Sequence, residues 1–125
     1  TLLQPTNPFR TPADIDKSIK LLQKSTATSV LGVGKIKKHP YRTFWLNNNF
    51  LKPFKSDFKK FFQRQLLPPL YSPTGSIYTF WYQTFKKYGN YYGPKIQPLI
   101  LDNEIDVDDW EDLFFSEMKL KYSAK

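Results

Sequence analysis

The sequence predicts an α/β fold built on a parallel sheet, and three features carry that expectation. From Leu2 to Val33 an apolar pair, a capped helical pattern and a β-branched run follow one another, the order of a βαβ unit. A second helix-then-strand alternation runs from Thr79 to Leu101, and an amphipathic helix is expected from about Asp109 to Lys121. At 125 residues the chain suffices for one domain with a modest core and is too short for two.

Leu2-Leu3 reads as the end of a buried strand, and Gln4 to Arg10, QPTNPFR, as a loop punctuated by two prolines. Thr11 is a good N-cap, Pro12 suits the first helical position, and Asp14 lies where the helix dipole favours a carboxylate. Ile15, Ile19 and Leu22 then recur at helical spacing, and the helix should end near Lys24-Ser25. Thr28 to Ile36 is a strand. Ligands of parallel sheets gather beyond the carboxyl ends of strands, which makes Arg10, in the loop after Leu3, a candidate binding residue as well as a plain surface arginine.

Tyr41 to Leu46, the polar Asn47-Asn48-Asn49 and Phe50-Leu51 read as a hairpin projecting from the sheet. Ser56 to Arg64, rich in Lys and Phe, is compatible with a short helix. Gln63 to Tyr78, QRQLLPPLYSPTGSIY, is stiffened by Pro68-Pro69, with a turn at Pro73-Thr74-Gly75 opening into a strand over 76–80. It reads either as a binding segment or as a surface crossing. Phe80, Trp81, Phe85 and Tyr88 are helix-spaced and point to a core stripe, Gly89 stops that helix, and 90–94 is a turn. In the strand over 96–101, Pro98 argues for an edge position. Trp110, Leu113, Phe114 and Met118 are the expected buried stripe of the last helix.

The net charge of +8, from 19 Lys and Arg against 11 Asp and Glu, favours anionic partners without choosing among them. Basic and aromatic residues interleave at 55–62 and 86–92, the composition of a single-strand nucleic-acid surface, although ribonucleoprotein signatures are missing. A non-catalytic module binding nucleic acid or another polyanion is therefore the alternative reading. With no cysteine and one histidine, disulfides, Cys-ligated zinc and His-rich metal sites are excluded, and a reducing, cytoplasmic location is compatible. No run of about 18 apolar residues offers a membrane span. Gly32-Val33-Gly34 lacks the further glycine and helix of a phosphate loop, and His39, before a proline, is a poor general base.

Asp106 and Asp108, in Ile105-Asp106-Val107-Asp108, alternate with two apolar residues. In extended backbone their carboxylates share one side, about 6 to 7 Å apart along the strand. Two hard oxygen ligands suit Mg²⁺; an acidic helix N-terminus explains the same residues without a metal.

Taken together, LLQPTNPFRTPADID at 2–16, HPYRTFWL at 39–46, QRQLLPPLYSPTGSIY at 63–78 and IDVD at 105–108 resemble the acylneuraminate cytidylyltransferases, or CMP-sialic acid synthetases. The elements stand in the family's order and at fitting spacings. The resemblance implies a Rossmann-like α/β nucleotidyltransferase sheet, of which 1–125 would be the C-terminal portion, with 39–70 as an inserted dimerisation hairpin. It implies CTP and an acidic nine-carbon 2-keto sugar as substrates, pyrophosphate as a product, Mg²⁺ on Asp106 and Asp108, and a homodimer. Gln4, Arg64 and Tyr78 fall at positions lining the sugar site. Arg42 falls where the family often directs a lysine at the sugar carboxylate across the dimer, and Tyr91 and Tyr92 where aromatics flank the acyl-amino group. Ser72 and Thr74 depart from the arginine and asparagine common in that turn. The family's glycine-rich CTP loop precedes its LQPT element, so that loop is expected upstream of Thr1, and these residues by themselves are expected to be inactive.

Overall fold

The computed structural model describes residues 1–61, 63–101 and 104–123. In chain order its regular elements are α1 (Pro12–Lys24), β1 (Ser29–Lys35), β2 (Phe44–Asn47), β3 (Phe50–Pro53), β4 (Tyr71–Phe80), α2 (Tyr82–Tyr88), β5 (Ile96–Ile100) and α3 (Trp110–Ser123). Two compact units divide the chain, one of Thr1–Gly34 with Pro73–Lys125, the other of Lys35–Ser72. No described helix is long and apolar enough to cross a membrane.

In the first unit α1 starts as its sequence dictates. Thr11 accepts from the Asp14 backbone N–H while the Asp14 carboxylate accepts from the Thr11 backbone N–H, a reciprocal capping box with Pro12 just inside it. The helix buries Ser18 and Leu22 and packs Ile15 and Leu21 against the core, whereas the expected Ile19 is 37% exposed. Ser18 docks the helix through hydroxyls. Its Oγ donates to the Ile15 carbonyl and lies 2.7 Å from Thr79 Oγ1, which is 3.0 Å from Thr1 Oγ1.

The sheet runs β4-β1-β5, with β1 and β5 parallel and Leu2 bridging antiparallel to Tyr78. It is thus a mixed sheet compatible with a Rossmann-like α/β fold, and Leu2 and β1, expected as the two strands of one unit, have β4 between them. Leu2 and Leu3 are also 42% and 38% exposed, not buried, because Leu2 pairs through that single bridge. β1 is buried along most of its length because both faces are covered. Val30, Ile77 and Leu99 join Leu22 on one side; Leu31, Val33 and Tyr78 meet Tyr91 and Tyr92 on the other. Pro98 sits on the edge strand, as its missing N–H requires.

Three expectations are corrected in this unit. Pro73, Thr74 and Gly75 lie inside β4 rather than in a turn before it, with Gly75 holding a φ of +77° in mid-strand. Thr79 and Phe80 end that strand, and α2 begins only at Tyr82. Its buried residue is Thr84, whose hydroxyl donates to the Thr28 carbonyl at 2.8 Å, while Trp81, Phe85 and Tyr88 stay at least 40% exposed. α3 buries less of its expected stripe, with Met118 only half-buried and Leu113 37% exposed. Ser116 is buried, Trp110 is 84% and Phe114 58% exposed, and Lys119 stacks over Phe9 at 4.1 Å. A small serine lets the helix approach the loop more closely than its own aromatics could.

The second unit holds the β2–β3 hairpin, in the register Phe44↔Pro53 to Asn47↔Phe50, closed by Asn48 at φ +51°. Tyr41 and Arg42 are not strand: Pro40 starts a 3₁₀ turn there, with His39 as its cap. Ser56–Phe61 and Arg64–Leu66 are likewise 3₁₀ turns rather than one α-helix. Phe62, part of the basic and aromatic run, lies outside the described residues. Phe44 packs on Phe58 and Tyr41 on Phe61, yet Trp45, Leu46, Phe50 and Leu51 are 59–80% exposed. Charge divides as sharply as structure. Residues 35–72 carry nine lysines and arginines against Asp57 alone, the chain's entire surplus of +8, while the ten cations and ten anions of the other unit cancel.

Candidate functional site

The loop 4–10, the middle of β4 and the segment 104–108 converge at Gly75. A β-carbon built there would overlap the Asp106 carboxylate and come within 2.6 Å of Gln4 Oε1, so both expected site residues lean on the space a side chain would fill. Positive φ and close approach together explain glycine in the interior of a strand. The loop itself is held by side chains. Arg10 Nη1 donates to the Gln4 carbonyl at 2.5 Å and to the Ser76 carbonyl at 3.3 Å, which places its guanidinium on the main chain of both segments. Asn7 Nδ2 donates to the Thr74 carbonyl at 3.0 Å, and the Val107 N–H donates to the Thr6 carbonyl at 2.9 Å.

Asp106 Oδ1 is buried with no hydrogen-bond partner among the described residues. An orphaned carboxylate oxygen in such a place is costly unless a cation or water completes it, and oxygen donors of this kind fit Mg²⁺. Asp108 is exposed; its N–H donates to Asp112, whose own N–H donates to Asp109, so Asp109 and Asp112 serve the start of α3. Among the described residues no group of three or more His, Cys, Asp or Glu side chains encloses a metal position.

Beside Asp106 stands an aromatic cluster. Tyr78 meets Tyr91 edge-on at 5.0 Å, Tyr91 lies 4.5 Å from Tyr92, and Phe80 is 6.0 Å from Tyr91. Burial pushes the Tyr78 phenol above its ordinary range, with Tyr91 and Asp106 opposing the phenolate further. A hydrogen bond with Tyr91, ahead of burial and the charges of Tyr91 and Tyr78, pushes Tyr92 up to about 12. The turn that presents the pair is fixed by Asn90, which accepts from the Tyr92 and Gly93 N–H groups, and by Ser29, which donates to the Tyr92 carbonyl at 2.5 Å.

Arg42 and Arg64 belong to the second unit. Arg42 lines a small cleft of about 200 Å³ with Phe44, Phe58 and Phe61. Arg64 lines a cleft of about 370 Å³ with Lys35, Lys37 and His39. His39 is mostly buried, with Nδ1 accepting from the Tyr41 N–H and Nε2 3.1 Å from the Pro68 carbonyl, an arrangement that leaves neither ring nitrogen for proton transfer.

A loop carrying Gln4, a glycine-floored carboxylate and a tyrosine cluster bring oxygen and hydroxyl groups together in one place. The chain is similar to a CMP-sugar synthase. Over 118 residues it is 31% identical to the CMP-N,N'-diacetyllegionaminic acid synthase of Legionella pneumophila subsp. pneumophila (strain Philadelphia 1), a match covering 87% of this chain. It reaches 49% of that protein, so the chain spans about half the length of the curated relative it matches. No family model matches the sequence.

Three residues of the site escaped sequence reasoning. Gly75 was assigned to a turn, although a glycine inside an apolar strand pattern is itself a signal of close approach. Asn7 looked like loop composition. Glu104 continues the alternation of Asp106 and Asp108 by one step, and burial first, then Asp14, holds its carboxyl above the ordinary range against Lys119, a hydrogen bond from Asn7, and Arg10.

Proposed function

We propose that the chain is the sugar-side and metal-side part of a cytidylyltransferase that couples CTP to an acylneuraminate-like 2-keto acid sugar, giving a CMP-sugar and pyrophosphate. The observation that carries this reading is the meeting of Gln4 and Asp106 over Gly75, in a chain similar to a CMP-sugar synthase. Asp106 and Asp108 would hold Mg²⁺, which neutralises triphosphate charge when bound. Gln4, Tyr78 and Arg64 would orient the sugar, and Arg42, reaching across the dimer, would engage its carboxylate, where a guanidinium can bind two oxygens at once. Tyr91 and Tyr92 present an aromatic wall to the acyl-amino group, and Arg10 braces the loop on which Gln4 is carried. Held in this way, the anomeric hydroxyl attacks the α-phosphorus in line, with orientation supplying much of the rate.

The same reading makes the hairpin within 39–70 the contact between two copies of a cytoplasmic homodimer, supported by the bare apolar side chains of Trp45, Leu46, Phe50 and Leu51. The deciding experiment is pyrophosphate release by the full-length protein from CTP and Mg²⁺ with nine-carbon and eight-carbon 2-keto acids offered in turn. Release with at least one acid, abolished by EDTA and by Asp106→Ala, is expected; no release with any of them sinks the proposal.

A further inference from the structure

Asn7 is 1% exposed, although it sits in a loop between two prolines. Its Nδ2 donates to the carbonyl of Thr74, the residue before Gly75, at 3.0 Å. That bond ties the loop of Gln4 to the strand of Gly75. The adjacent Thr6 carbonyl takes the Val107 N–H at 2.9 Å, so the same loop also holds the segment of Asp106.

The chemistry calls for a carboxamide. Its nitrogen reaches the Thr74 carbonyl on one short, rigid arm. A serine hydroxyl has a shorter reach, and an apolar side chain would take this donor away from a part-buried carbonyl.

We propose that Asn7 is a positioning residue for the metal, holding the 104–108 segment so that the orphaned Asp106 carboxylate stays against Gly75 and open to a cation. This rests on the reading of Asp106 as a metal ligand. Removing a group that orients a ligand costs metal affinity without touching the metal, typically 10- to 100-fold.

The test is Mn²⁺ binding to the full-length protein, followed through the free aquo-ion signal in electron paramagnetic resonance, for wild type, Asn7→Ala, Asn7→Ser and Asp106→Ala. Circular dichroism melts set a temperature at which each variant is folded. Weakening of Mn²⁺ binding by about tenfold or more in folded Asn7→Ser and Asn7→Ala is expected, together with an equal rise in the Mg²⁺ concentration needed for half-maximal pyrophosphate release. Folded Asn7 variants with wild-type Mn²⁺ affinity overturn the proposal and leave Asn7 as packing alone. If Asp106→Ala also binds Mn²⁺ like wild type, it is the metal reading of Asp106 that falls, and the role of Asn7 with it.

Discussion

Gly75 and Asp106 stand so close that a single β-carbon at position 75 would occupy the place of the Asp106 carboxylate oxygen. Gly75→Ala is therefore a test of the site at the scale of one methyl group. The φ of +77° costs an L-residue about 1–3 kcal/mol, and displacement of Asp106 and Gln4 should lower turnover on the order of 100-fold. Urea unfolding and pyrophosphate release separate the two effects; wild-type turnover in Gly75→Ala would contradict the assignment.

The Thr11–Asp14 capping box lies away from that site and should behave as pure stability. Thr11→Ala is expected to cost about 1 kcal/mol in urea unfolding, with turnover unchanged below the melting transition. A loss of activity in the folded protein would mean that α1 orients the loop before it more directly than its contacts show.

Glu104 gives a pH dependence of definite sign. Burial, ahead of other causes, pushes its folded carboxyl above the ordinary carboxylate range, so the unfolded chain releases this proton first as pH rises. Its contribution to stability is therefore intact at acid pH and is lost as pH climbs from the unfolded value through the folded one. Glu104→Gln, which keeps shape and hydrogen bond, should melt higher than wild type at pH 7 and no higher at pH 4. Equal differences at both pH values would refute the burial argument.

Residues 35–72 carry the chain's whole surplus of positive charge, so polyanion binding is expected to rest mainly on them. Lys37, Lys38, Lys52 and Lys55 are exposed there. Replacing all four with glutamine should move elution from a heparin column to distinctly lower salt, with little change in melting temperature. Unchanged elution would place the contact elsewhere.

The sequence was most informative where one residue type has one physical job. Thr11, Pro12 and Asp14 announced α1, the β-branched run announced β1, and Gly89 in the left-handed region stopped α2. It misled where a stripe of aromatics was equated with burial. In α2 and α3 the hydroxyls of Thr84 and Ser116 face inward, because a small side chain permits close approach that Phe and Trp prevent. The alternation of Asp106 and Asp108 with apolar residues was visible in the sequence, but the floor beneath Asp106 was not, since Gly75 is thirty-one residues away in sequence and belongs to a different element. Asn7 was invisible for the same reason: its partner is the main-chain carbonyl of Thr74, 67 residues away.

The row of hydroxyls from Ser18 through Thr79 to Thr1 gives the contact of α1 with the sheet a direction. Ser18 spends its one proton on the Ile15 carbonyl, so Thr79 must donate to Ser18, and Thr1 to Thr79. Oil-like contacts alone would let a helix slide by a turn with little penalty, whereas a slide here would strand buried hydroxyls in sequence. The row works as an alignment pin, setting the axial position of α1 and with it the point at which the loop of Gln4, Asn7 and Arg10 leaves the sheet.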